Sequence, residues 1–289
     1  MTDVAKPSLL LGLIGAGIQA SRTPSLHQQE GEAQGLRLVY RLIDLDKLGM
    51  GVDALPDLLL AAERMAFDGL NVTHPCKQAV LPLLHELSPD ARAIGAVNTV
   101  LLRDGQRIGH NTDCPGFAEN FRRGLPGALL RRVVQLGAGG AGAAVARGAL
   151  QCGVRHLTIF DVEPQKAHAL ANRLNMQFGA GRATPGANLA AAMAASDGLI
   201  NTTPVGMADY PGLPLPEELL RPALWVAEIV YFPLETELLN AARRLGCRTL
   251  DGGGMAVFQA VEAFRLFSGI VPDAERMQHH FTLMGAAAP

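Results

Sequence analysis

The chain has few cysteines, few aromatic residues and few charges, and each scarcity closes a class of function. Four cysteines occur in 289 residues, Cys76, Cys114, Cys152 and Cys247, far apart in the sequence. With no C-x-x-C pair and no Cys/His cluster, neither a metal centre nor a disulfide framework is expected, and a reducing, cytoplasmic setting is. Charged residues make up 18%, below the usual ~25%. The net charge is −2, with no block of one sign, so the electrostatic footprint of a nucleic-acid or membrane-surface binder is missing. No apolar run approaches the ~18 residues of a membrane span. Leu9 to Ile18 looks like the apolar part of a signal peptide with Lys6 ahead of it. Asp3 also stands upstream and no A-x-A-like cleavage site follows, so the stretch is read as a first buried strand.

Hydrophobic residues reach 48%, with 32 glycines and 18 prolines. That is a globular chain with many tight turns, long enough at ~150 residues per domain for two domains or one large one. Short apolar runs at Ser8–Ile14, Val39–Ile43 and Gly69–Val72 read as strands, and Pro24–Ala33 and Leu55–Met65 as helices. Val97–Leu102 and Arg107–His110 flank Asp104-Gly105, the strongest hairpin signal present. A second series opens at residues 133–136, passes through a glycine turn into a helix at 143–150, and continues with strands at His156–Phe160, Gly198–Asn201, Trp225–Val230 and Arg248–Leu250. Helices at Gln165–Asn175 and Asn188–Ala195 fall between them. Ala256–Phe267 reads as a last helix, with a tail fraying from Gly285. The alternation predicts an α/β fold whose second half is a parallel, doubly wound sheet.

Gly137, Gly139 and Gly142 match G-x-G-x-x-G between a strand and a helix, the context in which backbone N–H groups receive a pyrophosphate. Asp161 closes the next strand about 20 residues on, where a carboxylate accepts bonds from the ribose hydroxyls of NAD and repels the extra phosphate of NADP. Glu163 adds to the repulsion, and Lys166 is the nearest cation. Three polar stretches stand at strand ends or ahead of a helix: Ser21-Arg22-Thr23-Pro24-Ser25-Leu26-His27, Asn71-Val72-Thr73-His74-Pro75-Cys76-Lys77 and His110-Asn111-Thr112-Asp113. Taken singly they read as a helix cap, a solvated lysine and a plain turn.

Together and in order, these stretches resemble the shikimate dehydrogenase family, and most of all its NAD-dependent quinate/shikimate branch. The markers are S-R-T-P-S-L-H, G-L-N-V-T-H-P-C-K, G-A-V-N-T-V, G-H-N-T-D-C-P-G-F, G-A-G-G-A-G, N-T-T-P-V-G-M, V-Y-F-P-L-E-T-E-L-L and M-A-V-F-Q-A-V-E-A-F, spread over almost the whole chain. The resemblance implies two domains, a substrate-binding and catalytic one at 1–114 plus 252–289 and a Rossmann-type NAD domain at 115–251, with the active site in the cleft. It implies Lys77 and Asp113 as the catalytic pair. Ser21 and Thr23 would take the substrate carboxylate, and Thr73, Asn98, Asp113 and Gln259 its ring hydroxyls. Tyr231 either reaches the substrate or packs in a core. The cofactor would meet Gly137, Gly139, Gly140, Ala141, Gly142, Asp161, Lys166, Thr203, Pro204, Val205, Gly206, Met207, Ile229 and Gly252. His27, His74 and His110 are read as structural, and Met255, Phe264 and Phe267 as core.

Three departures refine this expectation. Shikimate-selective members usually carry Ser where this chain has Thr23, and the quinate-accepting branch carries Thr. NADP users tend to show Asn-Arg-Thr where this chain has Asp161-Val162-Glu163. Glu228 stands where the family often has Asp. The expected reaction is interconversion of quinate or shikimate with its 3-dehydro ketone, using NAD rather than NADP, in a monomer or homodimer with no nucleic-acid or membrane partner. The rivals are a member specific for shikimate or for an amino-shikimate, and a non-catalytic NAD or metabolite sensor on the same scaffold. Quinate metabolism and aromatic amino acid biosynthesis both use this chemistry.

Overall fold

The apolar run read as the first strand is β1 (Ser8–Gly15), and it lies inside a sheet rather than at an edge. The computed structural model describes residues 8–286. Asp3 and Lys6 of the signal-peptide question, and tail residues 287–289, lie outside the described residues. The strands β2 (Arg37–Asp44), β3 (Gly69–Val72), β4 (Glu86–Leu87), β5 (Thr99–Arg103) and β6 (Gln106–His110) join β1 in the order β2-β1-β3-β5-β6-β4. Every pairing in this sheet is parallel except the two made by β5.

Alternation along β1 explains why both faces of this sheet are covered. Leu11 and Leu13 pack with Tyr40, Leu101 and Phe267 on one face, while Leu10 and Ile14 pack with Leu45, Leu59 and Leu70 on the other. A strand buried on both faces reads as a continuous apolar run, and that is how S-L-L-L-G-L-I reads. The β5–β6 turn carries positive φ at both central residues, 51° at Asp104 and 71° at Gly105, the hairpin geometry that Asp-Gly favours.

The second sheet is parallel throughout. It comprises β7 (Arg132–Leu136), β8 (His156–Phe160), β9 (Ala183–Pro185), β10 (Gly198–Asn201), β11 (Trp225–Glu228) and β12 (Arg248–Leu250). The order is β12-β11-β10-β7-β8-β9, the doubly wound arrangement of dinucleotide-binding folds. Val134, Leu136, Leu199 and Val226 pack one face against Met193, Leu224 and Leu238.

The described chain divides into two compact units, one running to Thr112 and resuming at Gln259, the other Asp113–Phe258. The sequence reading puts the breaks after 114 and 251. The second break falls later because it lies within the helix Gly253–Ser268, three residues longer at its start than the expected Ala256–Phe267. Gly252-Gly253-Gly254 reads as loop, yet the Asp251 carboxylate accepts the Gly253 N–H at 2.9 Å and starts the helix there. A Cβ on Gly254 would collide with the Asn120 side chain. The helix Asp113–Gly124 also escapes the sequence reading, because D-C-P-G looks like a turn; Pro115 sits in its first turn, where proline is tolerated. At the far end the helix Ala274–Ala286 carries the chain beyond Gly285, where fraying is expected. Met277 and Phe281 are buried there, and Arg276 holds the buried Glu30 through two hydrogen bonds of 2.8 and 2.7 Å.

His27 is fully buried beside Tyr40, Phe264 and Phe267, with ring centroids 5.2 to 6.0 Å away. Neither ring nitrogen has a hydrogen-bond partner among the described residues. Burial lowers its pKa from 6.5 to about 3. The folded state therefore keeps the imidazole neutral while the unfolded chain protonates it, so stability falls as pH drops from about 6.5 towards 3. This group alone should remove about 2 kcal/mol by pH 5. Denaturant titrations across that range should show the loss, and His27→Phe should flatten it; an unchanged slope in the variant would assign acid lability to other groups.

Candidate active site

Topology gathers the polar residues of the first unit at one edge of its sheet. Parallel β1 and β3 end side by side, Ile14 opposite Val72, so Gly15–Ser21 and Thr73–Lys77 leave from the same edge. Antiparallel β5 begins there, and β6 ends there with His110 opposite Thr99, which adds Asn98, Asn111 and Thr112. Open α/β sheets bind ligands beyond the carboxyl ends of their strands.

The edge is held by Asp44 and Asn71, to which the sequence gives no role, together with the expected Asn98 and Gln259. Asp44, ending β2, accepts from Gly17 N, Ile18 N and Gln19 Nε2 at 3.1, 3.2 and 2.7 Å, fixing the loop that leads to Ser21. Buried Asn71 accepts from the Tyr40 hydroxyl at 2.7 Å and donates to Asn98 O and Thr99 Oγ1. Asn98 Oδ1 accepts the Thr112 N–H at 2.8 Å, its Nδ2 donates to Thr112 Oγ1 at 2.9 Å, and that hydroxyl donates to Gln259 Oε1 at 3.4 Å. Asn98, Thr112 and Gln259 thus form one connected array. Connected hydrogen-bond networks of this kind fix a single side-chain arrangement.

The hydroxyls ahead of the first helix do not cap it. Arg22 occupies the cap position of Thr23–Ala33 but makes no capping bond to the helix, and the Ser21 hydroxyl accepts the Thr23 N–H at 3.3 Å. The side chains of Thr23 and Thr73 are half-buried and make no hydrogen bond among the described residues. Both keep their capacity for a ligand. Lys77 lies half-buried in the single turn Cys76–Ala79, its carbonyl accepting the Val97 N–H at 2.9 Å. Asp113, buried, is the first residue of the second unit and opens its first helix.

In the second unit the parallel strands place their following loops at one edge. Gly137 has φ of 96°. A Cβ on Gly142 would stand 2.6 Å from Gly137 O and 2.8 Å from Thr202 Oγ1, so turn and helix meet too closely for any other residue. Around Gly139 a Cβ would meet nothing within 4 Å. That open, side-chain-free start to the helix Gly140–Gln151 fits a pyrophosphate, because the first N–H groups of a helix have no internal partner. Asp161 accepts the Ala138 N–H at 2.7 Å and the Glu163 N–H at 2.9 Å. A carboxylate has about four acceptor sites, so capacity for ribose hydroxyls remains. Lys166 is exposed and pairs with Glu163 at 2.5 Å.

Thr203, Pro204, Val205, Gly206 and Met207 form the loop after β10, braced by Asn201, whose Oδ1 accepts Thr203 N and Oγ1 and whose Nδ2 donates to Val205 O. Ile229 follows β11. Gly252 follows β12 and packs where a Cβ would lie 2.5 Å from the carbonyl oxygens of Ile229 and Val230. Tyr231 is 37% exposed, which removes the packed-core alternative. Met255, Phe264 and Phe267 are buried as expected of core. Gln135, a polar residue inside the apolar run V-V-Q-L, went unread as a site-building residue; its Nε2 donates to Gly137 O and Gly142 O at 2.9 Å and buttresses the turn. Among the described residues no cluster of His, Cys, Asp and Glu could hold a metal ion, and no helix is long and apolar enough to cross a membrane.

Residues 13–100 match the family described as shikimate dehydrogenase substrate binding domain. A shikimate dehydrogenase (NADP(+)) of Streptomyces avermitilis is 58% identical, over 95% of each chain. The chain belongs to the shikimate dehydrogenase family. A quinate/shikimate dehydrogenase (NAD(+)) of Corynebacterium efficiens is 50% identical, over 95% of this chain and 98% of that one. The solved quinate dehydrogenase of Corynebacterium glutamicum in complex with NAD superposes with a TM-score of 0.89 at 48% identity, covering 96% of this chain and all of that one. The protein is thus an oxidoreductase of the shikimate/quinate dehydrogenase family, with a pyridine nucleotide as cofactor.

The two glycines separate folding from binding. Gly139→Ala meets open space at an ordinary φ of −71°. It should fold with unchanged thermal stability but weaken dinucleotide binding about tenfold, read by calorimetric titration. Gly142→Ala should lose about 1–3 kcal/mol of stability from overpacking. Unaltered affinity in Gly139→Ala would move the pyrophosphate away from this turn.

Proposed function

We propose that the protein is an NAD-dependent quinate/shikimate dehydrogenase. The observation that carries this reading is the Asp161 carboxylate, which directly follows β8 and bonds to the glycine turn through Ala138 N. A negative charge there favours ribose hydroxyls and opposes a phosphate. The quinate/shikimate dehydrogenase of Corynebacterium efficiens is named for NAD, and the solved quinate dehydrogenase of Corynebacterium glutamicum holds NAD. Thr23, the residue of the quinate-accepting branch, supports the same reading.

The nicotinamide supplies or accepts the hydride; the chain's residues must hold the ring acid and move one proton. Ser21 and Thr23 offer two hydroxyls to the substrate carboxylate. Thr73, Asn98, Gln259 and Asp113 hold ring hydroxyls, and a ring lacking one would leave a buried polar group unpaired. Lys77 Nζ takes the hydroxyl proton as the alcohol is oxidised and returns it in the reverse direction. Asp113 orients that ammonium and the reacting hydroxyl. Tyr231, exposed after β11, is available to the substrate. In the second unit the amides of Gly140 and Ala141 receive the pyrophosphate, and the loop Thr203–Met207 with Ile229 and Gly252 supports the rest of the dinucleotide. Lys166, held by Glu163, offsets the acidic charge beside Asp161.

A second reading, shikimate oxidation with NADP, draws on the 58% identity to the Streptomyces enzyme of that name. Initial rates of reduced-dinucleotide formation, with quinate and shikimate each paired with NAD and NADP, decide between them. Turnover of both acids with NAD is expected; turnover of shikimate with NADP alone would replace the proposal with the second reading. Lys77→Ala should lower kcat by about 10²- to 10⁴-fold, the usual contribution of a general acid–base group, with dinucleotide binding intact. A near-normal kcat would remove Lys77 from the proton path.

A further inference from the structure

Glu228 closes β11 with its side chain 2% exposed. Both its carboxylate oxygens lie 3.0 Å from Asn201 Nδ2 at the end of neighbouring β10. Oε1 also accepts the N–H groups of Ile229 and Val230 at 2.9 and 3.0 Å, and Oε2 accepts the Thr236 hydroxyl at 3.4 Å. Thr236 in turn caps the helix Glu237–Arg244. Asn201 passes the contact onward, because the same amide braces Thr203 and Val205. Gly206, with φ of 109°, lies where a Cβ would stand 3.7 Å from Glu228 Oε2. One buried acid therefore reaches both loops assigned to the dinucleotide.

We infer that Glu228 is a positioning residue for the dinucleotide: its carboxylate ties the loop after β10 to the loop after β11, and neutralising it loosens both. The inference rests on the dinucleotide reading of this unit and adds a group that does not itself touch the ligand. All of these partners are donors and all are uncharged, so the ionised acid suits them and a proton on it faces donors. The titratable and charged groups on the surrounding segments are Asp209, Tyr210, Tyr231, Glu235, Glu237, Arg243, Arg244, Arg248 and Asp251. Glu235 pairs with Arg243, and Asp251 takes the Gly253 N–H. Burial raises the Glu228 pKa from 4.5 to about 7, the hydrogen bonds from Asn201, Val230, Ile229 and Thr236 offsetting part of that rise. Over pH 6 to 8 the acid passes from mostly protonated to mostly ionised, and the tie between the loops strengthens.

The test compares wild type with Glu228→Gln by calorimetric titration, using whichever of NAD and NADP the wild type binds, at pH 6 and pH 8. Amide exchange is read on the ligand-free proteins. At pH 8 the variant should bind about tenfold more weakly, with faster exchange at Thr203, Val205, Gly206, Ile229 and Val230. At pH 6 the two proteins should converge, which a purely structural loss would not produce. Equal or tighter binding by the variant at pH 8, or a deficit of the same size at both pH values, overturns the inference. Should Glu228→Gln fail to fold, Glu228→Asp takes its place. The shorter acid should keep the Ile229 and Val230 contacts, lose Asn201, and speed exchange at 203–206 alone; wild-type affinity and exchange there overturn the inference equally. Rates with quinate and shikimate, run alongside, test the enzymatic reading separately, since binding and exchange remain measurable if neither acid turns over.

Discussion

The approach of Gly142 to Gly137 is the constraint on which the cofactor-facing edge depends. With no room for a Cβ between the helix and the carbonyl of the turn, β7 hands the chain directly to the helix Gly140–Gln151, and the helix N-terminus faces outward. The surrounding polar groups complete that turn. Gln135 and Thr202 donate to its carbonyls and Asp161 accepts from Ala138. Once those bonds are made, the first amides of the helix are left for an anion.

The first unit solves a different problem with the same edge. At that edge it gathers hydroxyls and amides in place of a glycine turn. Asp44 and Asn71 spend their capacity on backbone and neighbouring side chains, while Thr23 and Thr73 keep theirs. The network is uncharged apart from Asp44 and is anchored on β1–β3, whose two faces are both packed with leucine, isoleucine and aromatic side chains. On the proposed reading such an edge selects by hydroxyl placement, because a ring lacking a hydroxyl would leave a polar group unpaired.

Much of this was legible in the sequence, because the strands are either continuous apolar runs or cleanly punctuated. Gly69–Val72, His156–Phe160, Gly198–Asn201 and Arg248–Leu250 have the same limits in the structure. What was not legible has identifiable reasons. The two-residue β4 carries no period, and β9, A-T-P, ends in a proline that argues against a strand. The helix Asp113–Gly124 hides behind a Pro-Gly pair, and Gly253 begins a helix because the Asp251 carboxylate accepts its N–H. In the site, the glycine turn, Asp161 and the polar stretches stood out by residue type and order. Asn71, Thr112 and Asp44 did not, since their importance lies in partners far away in sequence that only the folded sheet brings near. Gln135 carried a readable signal, a polar side chain within a buried strand, that was left unused.

Titration of the purified protein with NAD and with NADP tests the central claim most directly, because the claim is that one carboxylate at the end of β8 chooses the dinucleotide. The account predicts at least tenfold tighter binding of NAD, with the difference shrinking in Asp161→Ser. Equal affinities, or tighter binding of NADP, would contradict it.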